Sequence, residues 1–505
     1  MTNQNSSRSS LSDVAAESFV ESEQTPRTNF VSNWHRHVSR RLKSMQRLLR
    51  SLPRTKVSRL ANWKPTWKRK LRATRGEQLE ARQLLTTFSP DILAIDGAPN
   101  SLRAAIIASN TNGQDDVINL GAGYWKLVLP NAVGQENAAA TGDFDLTESG
   151  KTITIQGAGA GQTFVDGKNV DRLFQVFPGV RAVFRNLTIN DGYARDDGFD
   201  NSLPTHRPAA GAAILMDNAN VVIENVEMVR NRSLGALGLN GGDGRRAQGG
   251  AISANGGTLT ILTSNVHSNF AVGGDGSEGV DGKNGVAGGT KSVADGEQGS
   301  DGGNGGPAFG GAIYAFGTQI SISNSTINEN NSFGGNGGRG GDGGAGATGG
   351  DGGHAGNGGE GGWSQGGAIY VDSGSLTISN TALNQNAAEG GDWGRGGRGG
   401  DGGSGGSGTG LRGAPGGEAG VAGRALGGGL MLAATTSTVT NSSLLTNRAV
   451  GGTGDNGGLG GTGGGSSGGA GGTGGQGGSG GEGGVANGGG FMIWRGSIDL
   501  SLIHI

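Results

Sequence analysis

The chain has 505 residues, of which 110 are glycine, 33% belong to the hydrophobic set and 5% are aromatic, too lean for an ordinary compact core of this size. Cysteine is absent, which excludes disulfides and thiolate metal sites. The net charge of −2 conceals two opposed parts: residues 1–82 hold 18 Lys/Arg against 6 Asp/Glu, and the remainder holds 22 against 36.

Residues 1–75 are read as a basic targeting region, disordered apart from a short helix. In "WHRHVSRRLKSMQRLLRSL" the residues Val38, Leu42, Met45 and Leu49 fall at helical spacing with Arg and Lys between them. Trp63 and Trp67 follow within "LANWKPTWKRKLR". A basic amphipathic helix beside tryptophans suits an anionic surface, so membrane contact through residues 34–75 is the second reading. No nucleic-acid partner is expected. No apolar stretch of signal-peptide or membrane-span type is found in the chain.

Residues 76–99 are read as a motif and linker. Leu79-Glu80-Ala81-Arg82-Gln83-Leu84-Leu85 resembles the LEPR-XLL motif near the N-termini of large planctomycete surface proteins, with Ala81 in place of its proline. The resemblance implies export to the cell surface.

Residues 100–150 are expected to supply a cap and the first strands. In "SLRAAIIASN", Leu102, Ala105, Ile106 and Ser109 share one helical face, suited to covering the open end of a stack. From Gly211 onward the chain repeats. Gly-Gly-apolar starts stand at Gly249, Gly310, Gly366, Gly427 and Gly488, with a divergent copy at Gly211. Three residues on are Ile214, Ile252, Ile313, Ile369, Leu430 and Phe491; twelve on are Ile223, Ile261, Ile322, Ile378, Val439 and Leu500. Seventeen on are Met228, Val266, Ile327, Leu383, Leu444 and Ile505, and twenty on is Asn at 231, 269, 330, 386 and 447. Each copy is a unit of about 25 residues with three short strands, unable to bury its apolar side alone but able to do so when stacked. A second series, Asn225, Asn324, Asn380 and Asn441, ends the second strand and is broken by Thr263. Asn tolerates left-handed turns and stacked amides bond one another, so both series are read as scaffold. The predicted fold is all-β: a right-handed parallel β-helix over residues 151–505.

"NSLRAAIIASNTNGQDDVINLGAGYWKL", "GDFDLTESGKTITIQGAGAGQTFVDG" and "LTINDG" resemble the CSLREA-type domain that opens extracellular β-helix proteins, with Asn100 where that motif has Cys. The resemblance implies a pectin-lyase-like β-helix on an exported protein, and does not imply an enzyme.

Glycine-rich segments near 273–309, 335–365, 391–426 and 452–487 occupy one place in the coil, and the starts around them lie 61, 56, 61 and 61 residues apart. Near-constant length argues that neighbouring inserts pack together, with flexible glycine loops as the competing reading. Gly-Gly-X triplets suit a polyglycine II-like conformation, three residues per turn, in which chains approach closely. The segments also resemble the glycine-rich repeats of PE_PGRS-like surface proteins.

For chemistry, the sequence offers one acid run, "DGYARDDGFDN", with Asp191, Asp196, Asp197 and Asp200 beside Arg195. Asp196, Asp197 and Asp200 are weak candidates for Ca²⁺, and a solvated loop is the competing reading. Asp342, Asp351 and Asp401 stand in "GGDGG" contexts similar to a calcium-binding nonapeptide but lack the apolar residue it requires. His206, His267 and His354 show no metal spacing. The outward strand positions, Leu215, Ser253, Tyr314, Tyr370 and Met431 in one column and Val222, Thr260, Ser321, Thr377 and Thr438 in another, read as neutral faces. No catalytic or cofactor-binding residue is assigned. The expected function is a non-catalytic surface β-helix, structural or adhesive, facing the cell envelope or extracellular glycan and protein surfaces. The alternatives are a polysaccharide lyase- or hydrolase-like enzyme and a lattice- or glycan-binding protein. The C-terminal "GGGFMIWRGSIDLSLIHI" reads as an uncapped coil, so self-association through residues 488–505 is expected.

Overall fold

The computed structural model describes residues 85–131, 136–198, 207–288, 290–406, 408–454 and 456–504. They belong to the second of two compact units, Gln83–Ile505. The basic head, its helix and most of the LEPR-XLL-like motif lie outside the described residues, as do Asp200, His206 and Ile505. Among the described residues no helix is long and apolar enough to cross a membrane.

Alternation of apolar and polar residues gives each short strand one face to bury, and stacking in parallel lets every coil bury it against the next. Among the described residues the result is a nearly all-β stack with one sheet of 18 strands and two of six. Register follows the repeat. Ile214, Ile252, Ile313, Ile369, Leu430 and Phe491 stand over one another. Ile223, Ile261, Ile322, Ile378, Val439 and Leu500 do the same. Together with Met228, Val266, Ile327, Leu383 and Leu444 they form one continuous core, to which Phe491 and Leu500 are only partly buried additions. Each aliphatic side chain buried in this way is worth about 1.5–3 kcal/mol. The cap helix, Leu102–Ser109, starts on Ser101, whose Oγ accepts the Ala104 N–H, and buries Leu102, Ala105, Ile106 and Ser109 as its spacing predicts.

The turn residues have definite reasons. The first glycine of each start has φ between +56° and +68°. A β-carbon there would stand 1.8–2.4 Å from the carbonyl oxygen three residues on, so only glycine fits. Asn225, Asn324, Asn380, Asn441 and the interrupting Thr263 all adopt φ near +50°. The inner Asn series is a buried ladder. Each Nδ2 donates to the next Oδ1, at 2.9 Å from Asn231 to Asn269, 3.0 Å to Asn330, 3.1 Å to Asn386 and 2.9 Å to Asn447. The same Oδ1 atoms also accept the main-chain N–H of the Asn before.

Every glycine insert runs out and back, hydrogen-bonded to its neighbours above and below with a three-residue period. In the insert that begins at Gly334, Gly338 and Gly341 donate to carbonyls of the preceding insert, Gly303 and Ser300, both at 2.8 Å. Gly340 and Gly343 donate to Arg395 and Arg398 of the following one, also at 2.8 Å. On the way back Gly356, Gly359 and Gly362 donate to Gly341, Gly338 and Gly335 of the same insert. A β-carbon on Gly338 would lie 1.9 Å from the Ser277 carbonyl oxygen, which is why two of every three residues are glycine. The third residue points outward, and where an Asp or Asn stands below it that side chain takes its N–H. Asp275 accepts from Asn336, Asn336 from Asp392, and Asp392 from Thr453, at 2.7, 2.9 and 2.8 Å. All three donors of such a triplet are thereby satisfied without a hydrophobic core.

Four features depart from the sequence reading. A fifth, shorter insert spans residues 235–246, with Gly238 and Gly244 donating to Asp275 and Asn304 of the next layer; its irregular triplets conceal it. Each coil has more than three strands, because short pairs such as Ala247–Gln248 and Arg232–Leu234 flank the insert necks and form the two six-stranded sheets. The predicted linker contributes a strand, Leu85–Phe88, paired with Asp115–Ile118 so that it covers a sheet edge. Finally, the column Leu215, Tyr314, Tyr370 and Met431 is not an exposed face. It is buried, with Tyr314, Tyr370, Met431 and Leu426 forming a second apolar cluster under the insert necks.

Candidate functional site

The acid run does not converge. Asp191 accepts two bonds of 2.9 Å from Arg230 one coil away. Asp196 turns inward, its carbonyl and Oδ1 accepting from Arg172 Nη2 at 2.7 and 3.1 Å. Asp197 accepts instead from Arg207 Nη1 at 2.9 Å. Neighbours in sequence thus serve different arginines. His267 Nε2 lies 3.2 Å from Glu227 Oε1, far from His354 on an insert. Among the described residues no three Asp, Glu or His side chains are placed to hold a metal together. Asp342, Asp351 and Asp401 are ladder members that accept the N–H of Arg398, Arg412 and Thr462. Those bonds hold the Asp351 and Asp401 carboxyls below the usual carboxylate range.

Beneath Asp196 lies a buried charge cluster that precedes the repeat. Arg172, fully buried, donates to Asp143 Oδ2 at 3.0 Å and to the Ala210 carbonyl at 3.0 Å. Burial works against its charge, but Asp196, Asp143 and Asp171 more than offset that and raise its pKa. Asp171 Oδ1 accepts the Arg172 N–H and Asp145 Oδ2 the Ala139 N–H, at 2.8 and 2.7 Å. Burial, then the neighbouring Asp143 charge, pushes the Asp145 carboxyl up to about 9 and that of Asp171 to about 8.

The outer surface carries a hollow of about 390 Å³ lined by Asp197, Leu215, Arg246, Gln248, Asn255, Tyr314, Phe316 and Asp372, among others. Alternation along the strands builds it. Residues six after each start point away from the core, and parallel register sets Asp217, Asn255, Phe316, Asp372, Ala433 and Trp494 in one row along the stack. Beside that row Tyr314 and Tyr370 stack with ring centroids 5.6 Å apart and planes 4° from parallel, and Phe309 tilts against both. Burial raises the Tyr314 hydroxyl pKa, Arg246 and Asp372 acting in opposite senses. Burial, then Asp372 and Tyr314, raises that of Tyr370. Phe316 keeps 52% of its surface exposed and Trp494 keeps 57%. A hollow of about 380 Å³ at the cap end is lined by apolar Ile92, Leu93 and Tyr124, and its one carboxylate, Asp96, is already bound by Arg103.

The sequence reading missed Arg246, Phe316 and Asp372. The signal was present in the row six residues after each start, where Asp217, Asn255 and Asp372 are polar and Phe316 and Trp494 are large aromatics in an exposed register.

No family model matches the sequence, and no curated protein matches it. Two solved structures are similar to it at low resemblance. A rhamnogalacturonan lyase is 12% identical, with 72% of this chain and 83% of that chain covered and a TM-score of 0.30. The Azotobacter vinelandii mannuronan C-5 epimerase AlgE6 A-module is 14% identical, with 78% of this chain and 96% of that chain covered and a TM-score of 0.21. Likenesses this slight carry no inference about function.

Proposed function

We propose that this chain is an exported surface protein, a right-handed parallel β-helix with polyglycine II-like inserts, that adheres to an extended polysaccharide without turning it over. The observation that carries the reading is the row Asn255, Phe316, Asp372 beside the buried Tyr314–Tyr370 pair, with Arg246 and Asp197 lining the same hollow. Sugar rings offer apolar faces to an exposed aromatic such as Phe316 and hydroxyls to carboxylates and amides. Successive coils repeat about every 4.8 Å, a step comparable to one sugar residue in an extended chain. The LEPR-XLL-like and CSLREA-type resemblances support placement at the cell surface.

The test is retention of the full chain in native gels cast with pectin, alginate or cellulose derivatives. At least one polysaccharide is expected to retard it, and Phe316→Ala and Asp372→Ala to lower apparent affinity by about tenfold each, the scale of one lost contact group. Equal mobility in every polysaccharide refutes the reading. Release of unsaturated or reducing products, abolished by Asp197→Asn, would replace adhesion with catalysis.

A further inference from the structure

The buried cluster at the cap end holds more carboxyl groups than its arginine can pair. Asp143, Asp145 and Asp171 are all buried, and Asp143 and Asp196 share Arg172 as their charge partner. The other buried arginine, Arg103, is taken by Asp96 and by the carbonyls of Ala139, Gly142 and Asp143. Several side-chain oxygens here are buried without a hydrogen-bond partner, among them Asp143 Oδ1, Asp171 Oδ2 and Asn131 Oδ1. Such oxygens are costly to bury unless a hydrogen-bond donor or a cation meets them.

Close packing against Gly142 brings two of these oxygens together. Gly142 has φ +61°, and a β-carbon on it would stand 2.0 Å from Asn131 Oδ1 and 2.7 Å from Asp171 Oδ2. Two partnerless oxygens therefore approach one point beside a residue without a side chain, and Asp143, whose Oδ1 is also partnerless, is the next residue in the chain. We propose that a calcium ion is bound at Gly142 by the side-chain oxygens of Asp143, Asp171 and Asn131. Two carboxylates and an amide are hard oxygen donors, the ligand set of Ca²⁺ rather than of a softer metal. Carbonyls and water complete its shell. The ion ties the loop after Gly123–Lys126, which carries Asn131, to the entries of two successive coils, before Phe144–Leu146 and before Phe174–Val176. It is separate from Asp197 and from the outer row.

The experiment is calorimetric titration of the full, chelator-treated chain with CaCl₂, alongside thermal unfolding with and without 10 mM Ca²⁺. One site is expected, with Kd of about 10⁻⁴–10⁻³ M, the range of extracellular calcium modules, and a Tm rise of about 3 °C. Asp171→Asn, which keeps an acceptor for the Arg172 N–H, is expected to weaken binding at least tenfold, and Asn131→Ala likewise. Asp191→Asn, in the surface acid run, is expected to leave it unchanged. Absence of binding heat in the unsubstituted chain overturns the proposal, as does undiminished affinity in Asp171→Asn. Should Asp171→Asn fail to fold, Asn131→Ala decides in the same way.

Discussion

Replacing Asn330 by alanine tests the buried amide ladder where it is best defined. Its Oδ1 accepts from both the main-chain N–H and the Nδ2 of Asn269, and its Nδ2 donates to the Val266 and Asn328 carbonyls and to Asn386 Oδ1. Truncation leaves the Asn269 main-chain N–H without an acceptor inside the stack, a loss of about 1–3 kcal/mol. Asn269 Nδ2 keeps the Met228 and His267 carbonyls, and Asn386 Oδ1 keeps the Asn330 N–H. The four other severed bonds add roughly 0.5–1.5 kcal/mol each if independent, a ceiling of about 9 kcal/mol. Such bonds are not additive and single substitutions rarely exceed about 5 kcal/mol, so about 3–5 kcal/mol is expected. Asn380→Gly removes a rung of the exposed ladder while keeping the left-handed turn, and should cost under about 1 kcal/mol. Urea unfolding followed by far-ultraviolet circular dichroism compares the two midpoints. A midpoint for Asn330→Ala no lower than that of Asn380→Gly would falsify the claim that the inner ladder holds the coils together.

Two further outcomes follow from the inserts. Gly338→Ala drives a methyl group into the Ser277 carbonyl and is expected to lower stability by about 1–3 kcal/mol, while Arg339→Ala, next to it but outward, changes little; equal effects on the unfolding midpoint would show that the arms are not packed. Asp351 and Asp401 have depressed carboxyl pKa values through the N–H groups of Arg412 and Thr462. Their contribution is complete above the ordinary value of 3.8 and lost as pH falls through the lower folded value. Hydrogen exchange at Arg412 and Thr462 should therefore accelerate below that range, and Asp351→Asn with Asp401→Asn should flatten the dependence.

The repeat was legible because its apolar positions are spaced identically from one start to the next, so a correct alignment is also a correct register: Ile252 over Ile214 in sequence is Ile252 over Ile214 in space. Packing of the inserts was legible only in part, from their near-constant length, which left flexible loops open. What escaped depends on contacts that no spacing records. Alternation places Tyr314 and Tyr370 off the core, but not under the necks that bury them. Asp196 and Asp197 look like one cluster in the sequence, and a strand-to-loop turn sends them to Arg172 and Arg207. Asp143, Asp145 and Asp171 lie before the repeat begins, scattered among loop acids, and only the folded chain makes them neighbours. The Asp of "GGDGG" resembles a calcium ligand in sequence, whereas its carboxylate accepts a main-chain N–H one insert away.

The two halves of each coil are stabilised by different physics, and temperature separates them. The strand stack removes hydrocarbon from water, a force that weakens on cooling and gives unfolding a large positive heat-capacity change. The inserts remove peptide groups instead, and exposing polar surface changes heat capacity with the opposite sign. Cold therefore loosens the stack more than the inserts hydrogen-bonded beside it. Across the lower part of the temperature range, the glycine layers act as the part of the coil that does not lose its hold.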